Sequence, residues 1–282
     1  MAKCLVCGKS GRVTVIKKKS FLGLPVAKCV RCGLIFTDLS KTGLKKKLAE
    51  YYAKDFWISQ KRVGRIRERI SEWMRSPMPN LKITLSYIKE GRVRALDIGC
   101  GKGRSLFLME NMGFETCGVE PDKEYAAALN KSLGRKAVYN TTVEKLRTNK
   151  KFDFIYLNHS LEHMAQPDRV LLKIKKLLSK EGVLFVEVPN CANKKVLDCS
   201  IDSAPHLYHF TRATLGKMLK DAGLNIIKLQ TYKIVGPQKR NLPRLLCYSV
   251  LFNFSKKWTA RNITISRESD NENGDVIVAI AG

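Results

Sequence analysis

The chain has 282 residues, which suits one medium domain with a small appendage, and its 44% hydrophobic content supports a sizeable core and excludes global disorder. No apolar run is long enough to span a bilayer, and the Met-Ala-Lys-Cys start lacks the apolar core of a secretory signal, so the expected location is the cytoplasm. Lys and Arg number 52 against 25 Asp and Glu, a net +27, with 22 against 6 in residues 1–92; such a field attracts nucleic acid, acidic lipid or a phosphorylated substrate, although a solvated basic surface accounts for it equally well.

The first elements in chain order are built around cysteine. Nine cysteines without a secretory signal argue against a disulfide framework. Cys4-Leu-Val-Cys7-Gly8 and Cys29-Val-Arg-Cys32-Gly33 are two knuckles of one spacing, beside β-like runs at Arg12–Ile16 and Gly33–Thr37. A two-residue spacer lets one tight turn offer both sulfurs to one ion, and four thiolates suit tetrahedral Zn²⁺. A redox dithiol would need only one such pair. With all four positions filled by protein, the ion is expected to be structural, and residues 1–40 to form a zinc ribbon. Cys100, Cys117, Cys191, Cys199 and Cys247 lack ligand spacing and are expected mostly as small buried apolar residues.

Residues 41–92 read as a basic helical linker, with Val63, Ile66, Ile70, Trp73 and Met74 at helical spacing, a break at Pro77 and Pro79, and a second helix from Leu81 to Lys89. From residue 93 to 282 strands and helices alternate. Ala95–Ile98, Thr116–Val119, Lys136–Tyr139, Phe152–Leu157, Val183–Val188, Leu224–Leu229 and Val276–Ile280 read as strands. Ser105–Asn111, Lys123–Leu133, Pro167–Leu178 and a segment capped by Thr211 and ending near Gly223 read as helices. This alternation predicts an α/β fold with a seven-stranded, mostly parallel sheet and helices on both faces. Two stretches fit poorly: a long loop over 190–210, and an insertion over 233–262 rich in Leu, Phe, Tyr and Trp and edged by Arg244, Lys256 and Lys257. The insertion reads either as a lid packed on protein or as an amphipathic helix lying on an anionic membrane.

The loop Asp97-Ile-Gly99-Cys100-Gly101-Lys-Gly103 joins a strand to a helix, where backbone amides and missing Cβ atoms let a ligand approach closely. Its glycines depart from the Gly-x-Gly-x-x-Gly spacing of nicotinamide sites. Glu120 ends the next strand, where an acid can accept hydrogen bonds from ribose hydroxyls.

Leu96–Gly103 resembles the first motif of class I S-adenosylmethionine-dependent methyltransferases, and Val119-Glu-Pro-Asp122 resembles their second. Leu161–Pro167, Glu181–Pro189 and Pro205-His-Leu-Tyr-His-Phe-Thr211 are similar to the branch related to quinone-biosynthesis methyltransferases, some members of which carry an N-terminal zinc ribbon. The resemblance implies a Rossmann-like sheet with its last strand antiparallel. It also implies that Asp97, Gly99, Cys100, Gly101 and Gly103 line the methionine and ribose of the cofactor. Glu120 would hold the ribose hydroxyls, with Pro121 and Asp122 beside it. Thr142, Val143 and Glu144 would bound the adenine, and Asn158 and His159 would face the sulfonium.

The four histidines form two clusters, His159 with His163 and His206 with His209. His159 and His206 are the candidate bases, needed only if the acceptor is a hydroxyl or an acidic carbon. His163 and His209 are read as structural, and a metal site built from all four is disfavoured because no carboxylate or Cys joins them at ligand spacing. The expected activity is methylation, at oxygen, of a small-molecule, sugar or lipid-linked acceptor in cell-surface polymer or quinone-like biosynthesis. The acceptor could be presented at the inner face of an anionic membrane. A nucleic-acid methyltransferase gripping RNA through the ribbon is disfavoured by the scarcity of aromatics among the N-terminal basic residues. A domain that binds the cofactor without turnover is disfavoured by the intact loop and acid.

Overall fold

The computed structural model describes residues 4–7, 12–38, 84–234, 266–269 and 274–282. The helix expected around Val63–Met74, Cys247 and residues 235–262 of the insertion lie outside the described residues. Of the helix expected over Leu81–Lys89, only Thr84 and Leu85 are helical among the described residues, and the chain turns at Ser86 and Tyr87.

The strands are β1 (Val13–Lys17), β2 (Val26–Cys29), β3 (Ile35–Thr37), β4 (Arg94–Ile98), β5 (Glu115–Val119), β6 (Val138–Tyr139), β7 (Phe152–Asn158), β8 (Leu178–Pro189), β9 (Tyr208–His209), β10 (Ile226–Ile234), β11 (Ser266–Ser269) and β12 (Val276–Ala281). The helices are α1 (Arg104–Asn111), α2 (Lys123–Leu133), α3 (Pro167–Leu177), α4 (Lys194–Asp202) and α5 (Arg212–Asp221). The main sheet runs β11-β10-β12-β8-β7-β4-β5-β6. Strands β8, β7, β4, β5 and β6 pair in parallel, and β12 inserts antiparallel between β8 and β10. The seven expected strands are present with the last one reversed, and β11 adds an eighth at the edge.

Local sequence explains the elements. Strand β7 is apolar almost throughout because both neighbours and both faces cover it, the pattern of a central parallel strand. Tyr156 of β7 stacks on Phe185 of β8 with ring centroids 4.8 Å apart. Asp122 caps α2 by accepting from the Tyr125 amide at 2.8 Å, and Gly134 closes it in a left-handed turn. Pro167 begins α3, and Thr211 and Thr214 form a reciprocal capping box on α5.

One expectation changes. The stretch 190–210 is not a plain loop: Asn193 caps a helix, α4, and Tyr208–His209 forms a strand. That strand joins the N-terminal strands to the larger domain in one four-stranded sheet, β1-β2-β3-β9. Cys4, Cys29, Leu34 and Phe36 share a buried cluster with Leu207, Phe210, Leu215 and Met218. Fewer than forty residues supply too little apolar surface for a core of their own, so they complete it on the larger domain.

Candidate functional site

The carboxyl ends of β4, β5, β7 and β8 lie side by side and bring two groups of polar residues to one edge of the sheet. This is where open α/β sheets bind ligands. A cleft of about 730 Å³ lined by Arg94, Glu115 and Asp153 sits at the opposite, amino edge and lacks this geometry.

The first group surrounds the glycine loop. Gly101 has φ +50°, and a Cβ built there meets nothing within 4 Å, so its face of the loop is open. Gly103, at φ +75°, has the other use: its backbone takes the left-handed conformation that suits glycine, and a Cβ there would press on the Leu129 side chain of α2. Glu120, buried, accepts from the Gly101 amide at 2.8 Å and the Asp122 amide at 2.9 Å. Burial raises its pKa, opposed by those two amides. A carboxylate has about four lone-pair positions, so two remain for a ligand. Burial also pushes Asp97 up to about 7, against the hydrogen bond that the Ser105 hydroxyl donates to it and helped by nearby Glu120. Asn140 donates to the Glu120 and Pro121 carbonyls, tying the end of β6 to this loop. Val143 is buried, whereas Glu144 is exposed.

The second group lies after β7. His159 holds a left-handed backbone at φ 46°, uncommon for a residue with a side chain. The His159 amide donates to the Glu187 carbonyl at 2.9 Å. Its ring, 41% exposed, lies between two carboxylates, with Nε2 3.2 Å from Glu187 Oε1 and Nδ1 3.4 Å from Glu162 Oε1. Burial disfavours its charge, but Glu162 and Glu187 outweigh that and push its pKa up to about 10. His206 behaves oppositely. Burial lowers it to about 4 despite Glu162, whose Oε1 is 3.9 Å from His206 Nε2. The hydroxyl of Ser200 lies 2.7 Å from Nδ1 of both His206 and His209. Having one proton, it donates to one ring and accepts from the other, which couples their tautomers.

Glu162 is the centre of this group. It is fully buried, burial opposes its charge, and the surrounding histidines nevertheless hold it down to about 2. Neither of its oxygens has a hydrogen-bond partner among the described residues, and neither does Asn158 Oδ1. His163 meets His206 edge to face with centroids 4.7 Å apart and lies 3.4 Å from the Pro205 carbonyl. Ligand atoms of Glu162, His163 and His206 all fall within 4.8 Å of one another. The expectation that no carboxylate joins the histidines is therefore corrected: Glu162 does. The adjacent pair Glu162-His163 was the available signal, and Glu187, a charge inside the apolar run Val183–Val188, was a second. Nothing local marks Ser200 or the ribbon's Thr37.

Among the cysteines, Cys4, Cys7, Cys29 and Cys32 place their sulfurs within 4.8 Å of one another, with Cys4–Cys32 at 3.5 Å and Cys7–Cys29 at 3.8 Å. Four sulfurs about 2.3 Å from a tetrahedral Zn²⁺ stand about 3.8 Å apart, whereas a disulfide needs about 2.05 Å. Burial, joined by neighbouring sulfurs, pushes the Cys7 thiol up to about 11, so ionising all four requires a cation. The arrangement fits a zinc ribbon. Cys100, Cys117 and Cys191 are buried as expected, and Cys199 is exposed.

A family model described as a methyltransferase domain matches residues 57–229. The chain is 28% identical over 158 residues to the ubiquinone biosynthesis O-methyltransferase of Pelagibacter ubique, covering 47% of this chain and 66% of that one. The enzyme of the same name from Rickettsia canadensis is 26% identical over 117 residues, covering 40% and 50%. The match thus spans about half to two thirds of these relatives' length. Among solved structures, a possible histamine N-methyltransferase from Thermotoga maritima superposes with TM-score 0.54 at 17% identity, covering 82% of this chain and 98% of that one. The 1,6-didemethyltoxoflavin-N1-methyltransferase of Burkholderia thailandensis, solved with bound 1,6-didemethyltoxoflavin and S-adenosylhomocysteine, gives 0.52 at 13%, covering 96% and 98%. At such identities the superpositions establish the fold, while the family model covers more than half of the chain. With its reversed last strand, glycine loop and acid after β5, the chain belongs to the methyltransferase-domain family and has the class I S-adenosylmethionine-dependent fold.

Proposed function

We propose that the chain transfers a methyl group from S-adenosylmethionine to an oxygen of a small-molecule, sugar or lipid-linked acceptor of quinone-precursor type. The observation that carries this reading is the pairing at one sheet edge of an open glycine loop and buried acid with a separate histidine–carboxylate group. The cofactor's residues are those of the loop, Asp97, Gly99, Cys100, Gly101 and Gly103, together with Glu120, Pro121 and Asp122 at the ribose. Thr142, Val143 and Glu144 follow the neighbouring strand on the adenine side. The fit rests on the open face at Gly101, the spare lone pairs of Glu120 and Asn158 Oδ1, which has no partner among the described residues. One imidazolium between two carboxylates leaves the His159–Glu162–Glu187 trio net negative, which suits a neighbouring sulfonium.

S-adenosylmethionine, held by the loop and Glu120, would supply the methyl group and leave as S-adenosylhomocysteine, while the acceptor oxygen that takes the methyl must give up its proton to the protein or solvent. Alignment supplies most of the acceleration. Of the two candidate bases, His159 is already protonated at neutral pH and orients, while His206 is neutral and can accept the proton, with Glu162 stabilising the resulting imidazolium. A second reading rests on Glu162, His163 and His206: the same three groups could seat a divalent cation that polarises the acceptor hydroxyl. The test is methyl transfer to phenolic quinone precursors by protein holding one equivalent of zinc in the ribbon, with and without a second divalent metal. Transfer that the second metal does not change favours the base, transfer that depends on it favours the cation, and transfer only to nucleic acid overturns the acceptor class.

The +27 charge, and relatives whose name specifies ubiquinone biosynthesis, support an acceptor met at the inner face of an anionic membrane. Among the described residues no helix is long and apolar enough to cross one. Co-sedimentation with anionic vesicles that is lost when Leu251 and Phe252 become Ser supports that presentation; no sedimentation at low salt contradicts it.

A further inference from the structure

We infer that the zinc ribbon is a positioning device for the acceptor end of the site: it holds His206 in place, and Thr37 is the residue through which it does so. This rests on placing the proton acceptor at His206. β3 and β9 are antiparallel, with Ile35 opposite His209 and Phe36 opposite Tyr208. The next residue, Thr37, is fully buried and makes two hydrogen bonds to the histidine segment. Its amide donates to the Leu207 carbonyl at 2.8 Å, and its hydroxyl donates to the His206 carbonyl at 3.2 Å. The Leu207 amide then donates to the Glu162 carbonyl at 2.8 Å. One short chain of hydrogen bonds therefore runs from the ribbon, through the histidine segment, to the backbone of Glu162, the residue whose carboxylate faces His206.

The ribbon holds the other side of His206 as well. The ring's Nδ1 partner, Ser200, lies on α4. That helix is fastened to the ribbon by the Phe21 amide donating to the Ile201 carbonyl at 2.8 Å and by the Lys17–Asp202 ion pair. Ile201 also packs with Val26 and Ile35. Both elements that fix the imidazole thus lean on a small sheet that has little core besides the one it shares. Cys29 ends β2, and its sulfur belongs to the four-cysteine cluster, so the ion that would close the knuckles also holds the register of β2 against β3. The glycine loop is different: Gly99 and Cys100 bond to the Val119 carbonyl and Gly101 to Glu120, all within the main sheet. Zinc is therefore expected to govern the histidine end and to leave the cofactor end alone.

The test is amide hydrogen exchange on the full chain, zinc-loaded and chelator-stripped, with S-adenosylhomocysteine titrated into both. Stripping is expected to speed exchange at least about tenfold in residues 194–210 as well as in 26–37, while 94–103 is unchanged. Thr37→Val keeps the shape and the zinc but loses the hydroxyl, and is expected to speed exchange of residues 205–210 about two- to tenfold. It should also move the His206 ring signals in NMR, with both effects reversed in Thr37→Ser. The inference is overturned if residues 26–37 open on stripping while 194–210 keep their protection, or if Thr37→Val leaves the His206 signals where they were. Failure of S-adenosylhomocysteine to bind the zinc-loaded protein would instead count against the cofactor reading, since the exchange pattern does not depend on it.

Discussion

The two polar groups at the sheet edge are built on different plans. Around the glycine loop, Asp97, Gly101, Glu120 and Asp122 span about two turns of a βαβ unit, and Glu120 is satisfied by backbone amides. Around His206 the partners come from three separate stretches of chain, Thr37, Glu162 and Ser200, and the central carboxylate has no hydrogen-bond donor among the described residues. A buried acid fed by amides is a fixed receptor. A buried acid ringed by imidazoles is stabilised by whatever charge they carry, which suits a group that must receive and release a proton.

This contrast can be broken from either side. The largest expected effect is His206→Ala, which should lower the methyl-transfer rate by about 10²–10⁴-fold while leaving S-adenosylhomocysteine affinity within about twofold. Loss of both together would mean that the two groups are not separate. Next, Gly103→Ala forces a side chain into a left-handed position and against Leu129, and should cost about 2–4 kcal/mol of stability in denaturant titration. Gly101→Ala carries the strain alone, about 1–2 kcal/mol, and its main effect should be weaker cofactor binding because its Cβ fills the open face.

The smallest effect is a pH dependence. Burial holds Asp97 at about 7 in the folded chain, above its ordinary 3.8, so the folded state binds the extra proton between those values. Its contribution is fully present below about 4 and is lost as pH rises through about 7. Ligand-free stability should therefore carry a downward slope across this window that is absent in Asp97→Asn, read by denaturant titration at stepped pH. An unchanged slope in Asp97→Asn would assign the proton elsewhere.

The same contrast explains what the residues reveal before folding. The glycine loop, Glu120, the caps at Asp122 and Thr211 and the two Cys-x-x-Cys knuckles are local patterns, because their chemistry needs residues at fixed short spacing. The strands of the main sheet were legible for the same reason: buried parallel strands are apolar throughout. Helix α4 was missed because its apolar positions, Val196, Leu197, Cys199 and Ile201, sit among Lys, Asp and Ser and its burial comes from the ribbon. Glu162 was visible as a residue but not as a partner, since its approach to His206 depends on how residues 205–210 return to β7. The union of ribbon and domain was hidden too, because β9 is only two residues long and has no periodicity to read.

The central claim is that one edge of the sheet holds a cofactor receptor separate from the proton-handling group. Titration calorimetry with S-adenosylhomocysteine on the native chain, Glu120→Ala and His206→Ala tests it most directly. The native chain should bind about one equivalent. Glu120→Ala should bind about 10- to 100-fold more weakly, through loss of charge-assisted hydrogen bonds to the ribose. His206→Ala should bind like the native chain. Binding of NAD in place of S-adenosylhomocysteine, or equal loss in both variants, would contradict the account.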